Sequence, residues 1–315
     1  MDKKSFYFEY LNNWQIKFVP SRFRAFVLFL CLFSTIKAQS NADTENYFLL
    51  ESEIQNQDIS NYQKKFALTT RNNYIGFTTL TLLDNYLSPL EYDGSGLKIE
   101  IEERRFFSPY NPNLSHQSSI GLLLGLTYNP QRTASITYFG LDYAWGTHYH
   151  FRPIENLQIL TGGLADIGIG AKLNSRNVNN QFNMDLATNI NLSAVVLYDF
   201  KFIRLQSAFD MPTMGCMFVP VQGASYYEMF DLGNTDNTVH FSSFHNKIGF
   251  RQKYTAFFTL KRSVLSLSYG YNYLKYEANN MVFKKTESII SLGWSYDFHI
   301  FAGRKRQAPD NFVKY

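Results

Sequence analysis

From Ile290 to Ile300 the chain alternates without a break: Ile290, Leu292, Trp294, Tyr296, Phe298 and Ile300 stand against Ser291, Gly293, Ser295, Asp297 and His299. Successive strand side chains point to opposite faces, so this run has one apolar face and one polar face. The pattern recurs. Leu265, Leu267, Tyr269, Tyr271 and Tyr273 oppose Ser266, Ser268, Gly270 and Asn272. Leu97, Ile99 and Ile101 alternate with Lys98, Glu100 and Glu102, and Ile167, Ile169, Ala171 and Leu173 with Gly168, Gly170 and Lys172. Ile120, Leu122, Leu124, Leu126 and Tyr128 have mostly small partners.

Length then separates a soluble sheet from a membrane barrel. Ordinary strands run about 5–6 residues, whereas a tilted transmembrane strand needs about 9–11. These runs are of the longer kind, and several carry Tyr or Trp toward an end, where aromatic girdles sit. The expected fold is all-β: a transmembrane, antiparallel, up-and-down β-barrel. Strands are expected near 73–83, 95–107, 116–128, 133–152, 157–173, 182–199, 200–210, 248–260, 263–275 and 286–301. Short links at 153–156, Asp199 and Lys261-Arg262 fall on one side. Longer links at 84–94, 174–181, 211–247 and 276–285 fall on the other. Ten strands satisfy the even count and put both termini in the periplasm; eight or twelve are the alternatives.

Charge narrows the partners. The chain has 30 basic and 26 acidic residues, but Lys3, Lys4, Lys17, Arg22, Arg24 and Lys37 precede position 39 with only Asp2 and Glu9 to offset them. The remainder is neutral, which removes the clustered positive charge that nucleic-acid binding requires. Arg22 and Arg24 lead into an uncharged run from Ala25 to Ile36, and Lys37-Ala38-Gln39-Ser40 closes it. A basic flank, a short apolar core and a small-residue exit read as a secretory signal over residues 1–38. Residues 39–72 read as a polar periplasmic lead-in, 73–301 as the barrel and 302–315 as a periplasmic tail. Cleavage after Ala38 would leave Cys216 as the one cysteine, too few for a disulfide or a cysteine-based metal site. No cofactor or metal is expected.

The stretch Leu82-Leu83-Asp84-Asn85-Tyr86-Leu87-Ser88-Pro89-Leu90-Glu91-Tyr92-Asp93-Gly94 resembles the signature of an uncharacterised Bacteroidetes family, the domain of unknown function DUF3316. The resemblance extends over most of the mature chain and implies an outer-membrane barrel. Within it Asp84, Tyr86, Leu87, Ser88, Pro89, Tyr92 and Gly94 are the distinctive positions. They read as a rigid ordered turn: Asp84 and Asn85 end a strand, Ser88-Pro89 forces an extended bend and Asp93-Gly94 starts the next strand. The final strand resembles the assembly signal of outer-membrane proteins, which implies the barrel-assembly machinery as a partner. Phe301 fits that signal, although a tail follows it here.

The strand 133–152 is the best place to look for chemistry. With Phe139, Leu141, Tyr143 and Trp145 toward lipid, Asp142, Ala144, Gly146, His148 and His150 share the lumen face. A histidine base, an orienting carboxylate and a neighbouring serine would make a hydrolase. Asp142 and His148 are six residues apart, about 20 Å along a strand, so they do not pair directly. The ordinary reading puts both histidines near the aqueous rim. His148-x-His150 is two metal ligands without a third, and His240 and His245 have no usable spacing. Lys98, Glu100, Glu102, Asp166, Lys172, Arg251, Lys253 and Asp297 are expected to face the lumen in paired networks, because isolated buried charge is costly. Residues 211–247, with Met211, Met214, Met217, Phe218, Tyr226, Tyr227, Met229 and Phe230, are expected to fold over or into the barrel mouth. The functional expectation is a structural or passive outer-membrane protein with a mostly filled lumen, in contact with lipid and with no specific protein partner indicated. A narrow transport channel, a barrel-embedded lipid hydrolase and a secretion-machinery accessory follow as alternatives.

Overall fold

The computed structural model describes residues 68–108, 111–174, 176, 181–260 and 263–299. The expected leader, most of the lead-in, the Lys261-Arg262 turn, Phe301 and the tail lie outside these residues. The described chain forms β1 (Leu68–Asp84), β2 (Ser88–Ser108), β3 (Asn111–Tyr128), β4 (Ser135–Ile154), β5 (Leu157–Asn174), β6 (Phe182–Asp199) and β7 (Ile203–Phe218). After β7 come the short helix α1 (Tyr226–Phe230), β8 (Val239–Ser243), β9 (Lys247–Leu260), β10 (Ser263–Ala278) and β11 (Met281–His299). Neighbours are antiparallel throughout. β1 pairs with β11, and β7 joins β6 to β9, so ten long strands close a barrel while β8 adds a short strand beside the top of β7.

The register fixes the tilt. From Phe77 the pairing runs through Leu97, Leu124, Phe139 and Ala171 to Met184. The other way it runs through Ile290, Tyr269, Tyr254 and Ser207 to Val196. Both paths end on β6, twelve residues apart, between Met184 and Val196. A closed wall with that stagger needs strands inclined by roughly 35–45° to the barrel axis.

Alternation sorts the side chains as the sequence implies. Ile75, Phe77, Leu97, Ile99, Phe139, Tyr143, Trp145, Ile167, Ile190 and Leu292 stand on the outer surface. Tyr149, Phe151, Tyr198 and Phe200 gather outside the rim where the described chain starts and ends, the place of an aromatic girdle. Among the described residues no helix is long and apolar enough to cross a membrane; a barrel of this kind crosses with strands.

Several boundaries differ from expectation. β1 starts at Leu68, ahead of the expected 73, because Thr70 and Asn72 face the lumen, Thr70 donating to Asp297 at 2.7 Å. The expected link 84–94 is a turn of three residues, since Tyr86 N–H bonds the Asp84 carboxylate at 3.0 Å and Leu87 N–H the Asp84 carbonyl at 3.0 Å. Ser88 therefore already opens β2, and Asp93-Gly94 lies within it. The expected link 276–285 is a two-residue hairpin: Asn279 and Asn280 have φ of 53° and 59°, as a type I′ turn requires. Residues 211–247 are not one loop. β7 continues to Phe218, and residues 244–246 are a short insertion between β8 and β9. Pro212 and the register shift at Ile190/Asn191 break the period there, and Thr213 supplies a hydroxyl to the Ile190 carbonyl at 2.8 Å.

Candidate functional site in the lumen

The strands bring every expected lumen charge inside and give each a polar partner, Asp166–Arg251 and Glu100–Lys253 reaching across the lumen. Glu287 is held by Lys285 at 2.8 Å, Asn272 at 2.9 Å and Lys98 at 3.5 Å. Lys253 bonds Glu100 at 2.7 Å and lies 3.8 Å from Glu102, with its ammonium 3.7 Å from the centre of the Tyr74 ring. Asp166 accepts from Asn189 at 2.6 Å, Asn191 at 2.7 Å and Arg251 at 2.9 Å. Lys172, fully buried, meets both Asp84 and Asp185, the latter at 2.7 Å, over the ring of Phe283. Each charge so placed exchanges water for opposite charge and hydrogen bonds, the condition for keeping ions in a narrow interior.

A chamber of about 220 Å³ remains at mid-height, lined by Lys98, Asp142, Asp166, Lys253, Lys285 and Glu287 among others. It has the polarity and room for water but is smaller than the roughly 300–1,000 Å³ of typical small-molecule sites. Toward the loop rim the cross-section is filled by Leu80, Leu82, Tyr86, Leu87, Tyr92, Leu123, Met217, Val219, Met281 and Phe283. Toward the terminal rim Leu160, Val195 and Leu197 form a second apolar cluster, with Phe106 also buried.

The distinctive turn builds the upper filling. Asp84 also accepts from Asn183 at 2.7 Å, and Tyr86 donates to the Ala224 carbonyl at 2.8 Å. Leu87 and Tyr92 are buried, while Ser88 is half-buried and Pro89 exposed. Gly94 is needed for close approach: a Cβ there would sit 2.0 Å from the Leu126 carbonyl oxygen. The segment after β7 is tied down over this turn. Ser225 and Glu228 cap α1 reciprocally, and those hydrogen bonds hold the Glu228 carboxyl below its usual range. Tyr226 donates to Asn183 at 2.7 Å and accepts from Met184 N–H at 2.7 Å; burial raises its phenol above the usual value. Met217, Tyr226 and Met229 thus turn toward the barrel, whereas Met214, Tyr227 and Phe230 are exposed.

His148 and His150 are buried on the lumen face near the terminal end of β4, beside the girdle residues Tyr149 and Phe151. His148 faces Gly162, which in turn faces Ser193, so the imidazole crosses above the glycine and meets Ser193 Oγ at 2.8 Å. His150 reaches diagonally to Ser115 Oγ at 2.7 Å and packs beside Phe106. These serines lie 45 and 35 residues away in sequence, and no local pattern marks them. Asp142 lines the chamber and bonds neither imidazole; Nδ1 of His148 has no hydrogen-bond partner among the described residues. Two histidine–serine pairs are present, and among the described residues no carboxylate bonds the His148 ring. Among the described residues no group of three or more His, Cys, Asp or Glu is placed to hold a metal ion. Lys285 and Glu287 were legible by extending the parity of the last strand from Ser291 backward; Asp185, Asp210 and Lys247 sit where alternation is weaker.

The sequence profile of a family described as a protein of unknown function, DUF3316, matches residues 25–305. The chain belongs to this family. Comparison of the DUF3316 chain with curated proteins finds no match. Among solved structures it is similar to the outer membrane protease OmpT of Escherichia coli, at 7% identity and a TM-score of 0.42, covering 73% of this chain and 96% of that one. It is also similar to the transport unit of the autotransporter AIDA-I of Escherichia coli, at 10% identity and a TM-score of 0.41, covering 81% and 97%. A FadL homologue of Pseudomonas aeruginosa matches at 7% identity and a TM-score of 0.34, covering 73% and 90%. These likenesses concern the fold of the DUF3316 barrel alone.

Proposed function

We propose that this chain is an exported outer-membrane β-barrel with a structural, non-conducting role, its terminal rim toward the periplasm. The observation that carries this reading is the filling of the lumen: an apolar cluster crosses it on the loop side, and on the terminal side Leu160, Val195 and Leu197 narrow it together with Arg104 and Gln206, around a chamber whose charges are paired. The basic, apolar and small-residue order of the leader supports export through the inner membrane. In planar bilayers the purified protein is expected to give no steady single-channel openings. Reproducible unitary conductance would overturn the reading and favour the narrow channel, for which the chamber speaks.

The histidine–serine pairs serve the wall in this reading. Replacing either His148 or His150 with alanine strands a buried serine hydroxyl, a loss of about 1–3 kcal/mol. The double replacement is expected to lower the urea midpoint in detergent and leave membrane lipid composition unchanged. Altered lipid species by mass spectrometry would restore the hydrolase.

A further inference from the structure

The outer surface is not equally apolar all the way round. On β11 the outward face turns polar above Ile290, with Ser288, Thr286 and Lys284; on β1 it does so above Phe77, with Thr79 and Thr81; on β2 it does so above Leu97, with Ser95, Asp93 and Glu91. Lys284 and Glu91 form an exposed ion pair there at 2.9 Å, an arrangement suited to water. The other flank stays apolar at the same level. β5 continues outward through Ile169 and Leu173, β6 through Leu186 and Phe182, and β7 and β8 through Met214, Phe241 and Val239, all exposed.

The levels can be compared through the register. From Thr81 the pairing runs through Thr286 and Tyr273 to Phe250, whose neighbour Arg251 pairs with Asp210. A stagger of about one residue per strand in a closed, tilted wall raises the equal-height point on β7 from there to about Cys216. Thr81 and Cys216 therefore stand at one height on opposite flanks, one in a polar surrounding and the other between Thr188 and exposed Phe241.

We propose that the β5–β8 flank above this level is covered by acyl chains of the outer leaflet, so that the barrel leans toward that flank. The inference rests on the membrane reading given above. Its occupant follows from continuity: with exposed Thr188 on β6 as a polar interruption, the extra apolar surface extends the lipid-facing belt. Hydrophobic mismatch is commonly met by tilting. Four residues of extra height, at about 3.3 Å each on strands inclined by roughly 40°, make about 10 Å. Across a wall about 20 Å wide, as ten strands spaced ~4.8 Å give, that is a lean of about 25°.

Nitroxide labelling of the full chain in lipid vesicles tests this. The native Cys216 is labelled in a Cys31→Ser background; Leu292→Cys and Thr81→Cys are labelled in a background that also carries Cys216→Ser. The expected ratio of oxygen to water-soluble nickel-chelate collisions at Cys216 matches that at Leu292→Cys and exceeds that at Thr81→Cys severalfold. A Cys216 label as open to nickel as Thr81→Cys, with Leu292→Cys still protected, overturns the lean and leaves the membrane reading intact. Nickel access at Leu292→Cys as well overturns the membrane reading itself. A Cys216 label shielded from both agents, or broadened by a second spin, assigns the flank to a protein neighbour and overturns lipid coverage.

Discussion

Replacing Lys172 with methionine is expected to lower the unfolding free energy by about 3–5 kcal/mol, the loss that follows when one member of a buried ion network is removed. Lys172 is fully buried between Asp84 and Asp185, and Tyr276 donates to the same Asp185 oxygen at 2.9 Å. Without the ammonium two carboxylates face each other at the top of the lumen. Adding Asp84→Asn and Asp185→Asn to the methionine variant should restore much of the loss, because the repulsion disappears with the charges. Urea titration of the protein refolded in detergent reads both variants. A single-variant loss below about 1 kcal/mol, the range of exposed pairs, would mean that water reaches this cluster.

The second large effect belongs to the outside. Leu292 is 68% exposed in the lower half of the barrel, flanked on its strand by Ile290 and Trp294. If acyl chains surround it, Leu292→Arg should destabilise the protein by about 2–4 kcal/mol in a bilayer. On a water-facing surface the same change would stay within about 0.5 kcal/mol. Equilibrium unfolding from lipid vesicles distinguishes the two, and a near-zero change would remove the ground for calling this surface lipid-facing.

Period two carried most of the fold, because one residue of slip would turn a whole strand inside out. It put Leu97, Trp145 and Leu292 outside and Lys98, Glu100 and Asp166 inside without any knowledge of their neighbours. It failed where the backbone departs from even pleating: at Pro212, at the Ile190/Asn191 shift and at the insertion before Lys247. There the β7 extension and β8 look like loop. Polarity misled at the ends of strands, since Thr70 and Asn72 resemble linker residues until Asp297 and the lumen are seen beside them. The site was legible as a face and not as a set of contacts. Asp84 reads as a turn former in sequence, and only the closed wall shows it binding Lys172 and Asn183. His148 and Ser193 likewise meet only because Gly162 lets one side chain lie across the strand between them.

The pairing of β1 with β11 extends from Leu68–His299 to Asp84–Phe283, the full length of β1 and all but the first two residues of β11. This seam joins the first and last described strands, so the cylinder stays open until nearly the entire polypeptide has been delivered to the site of assembly. A chain stopped before Met281 would present two raw hydrogen-bonding margins, the kind of edge that recruits other strands. Truncation from the carboxyl side should thus yield aggregates or clients trapped on a chaperone, in place of smaller barrels.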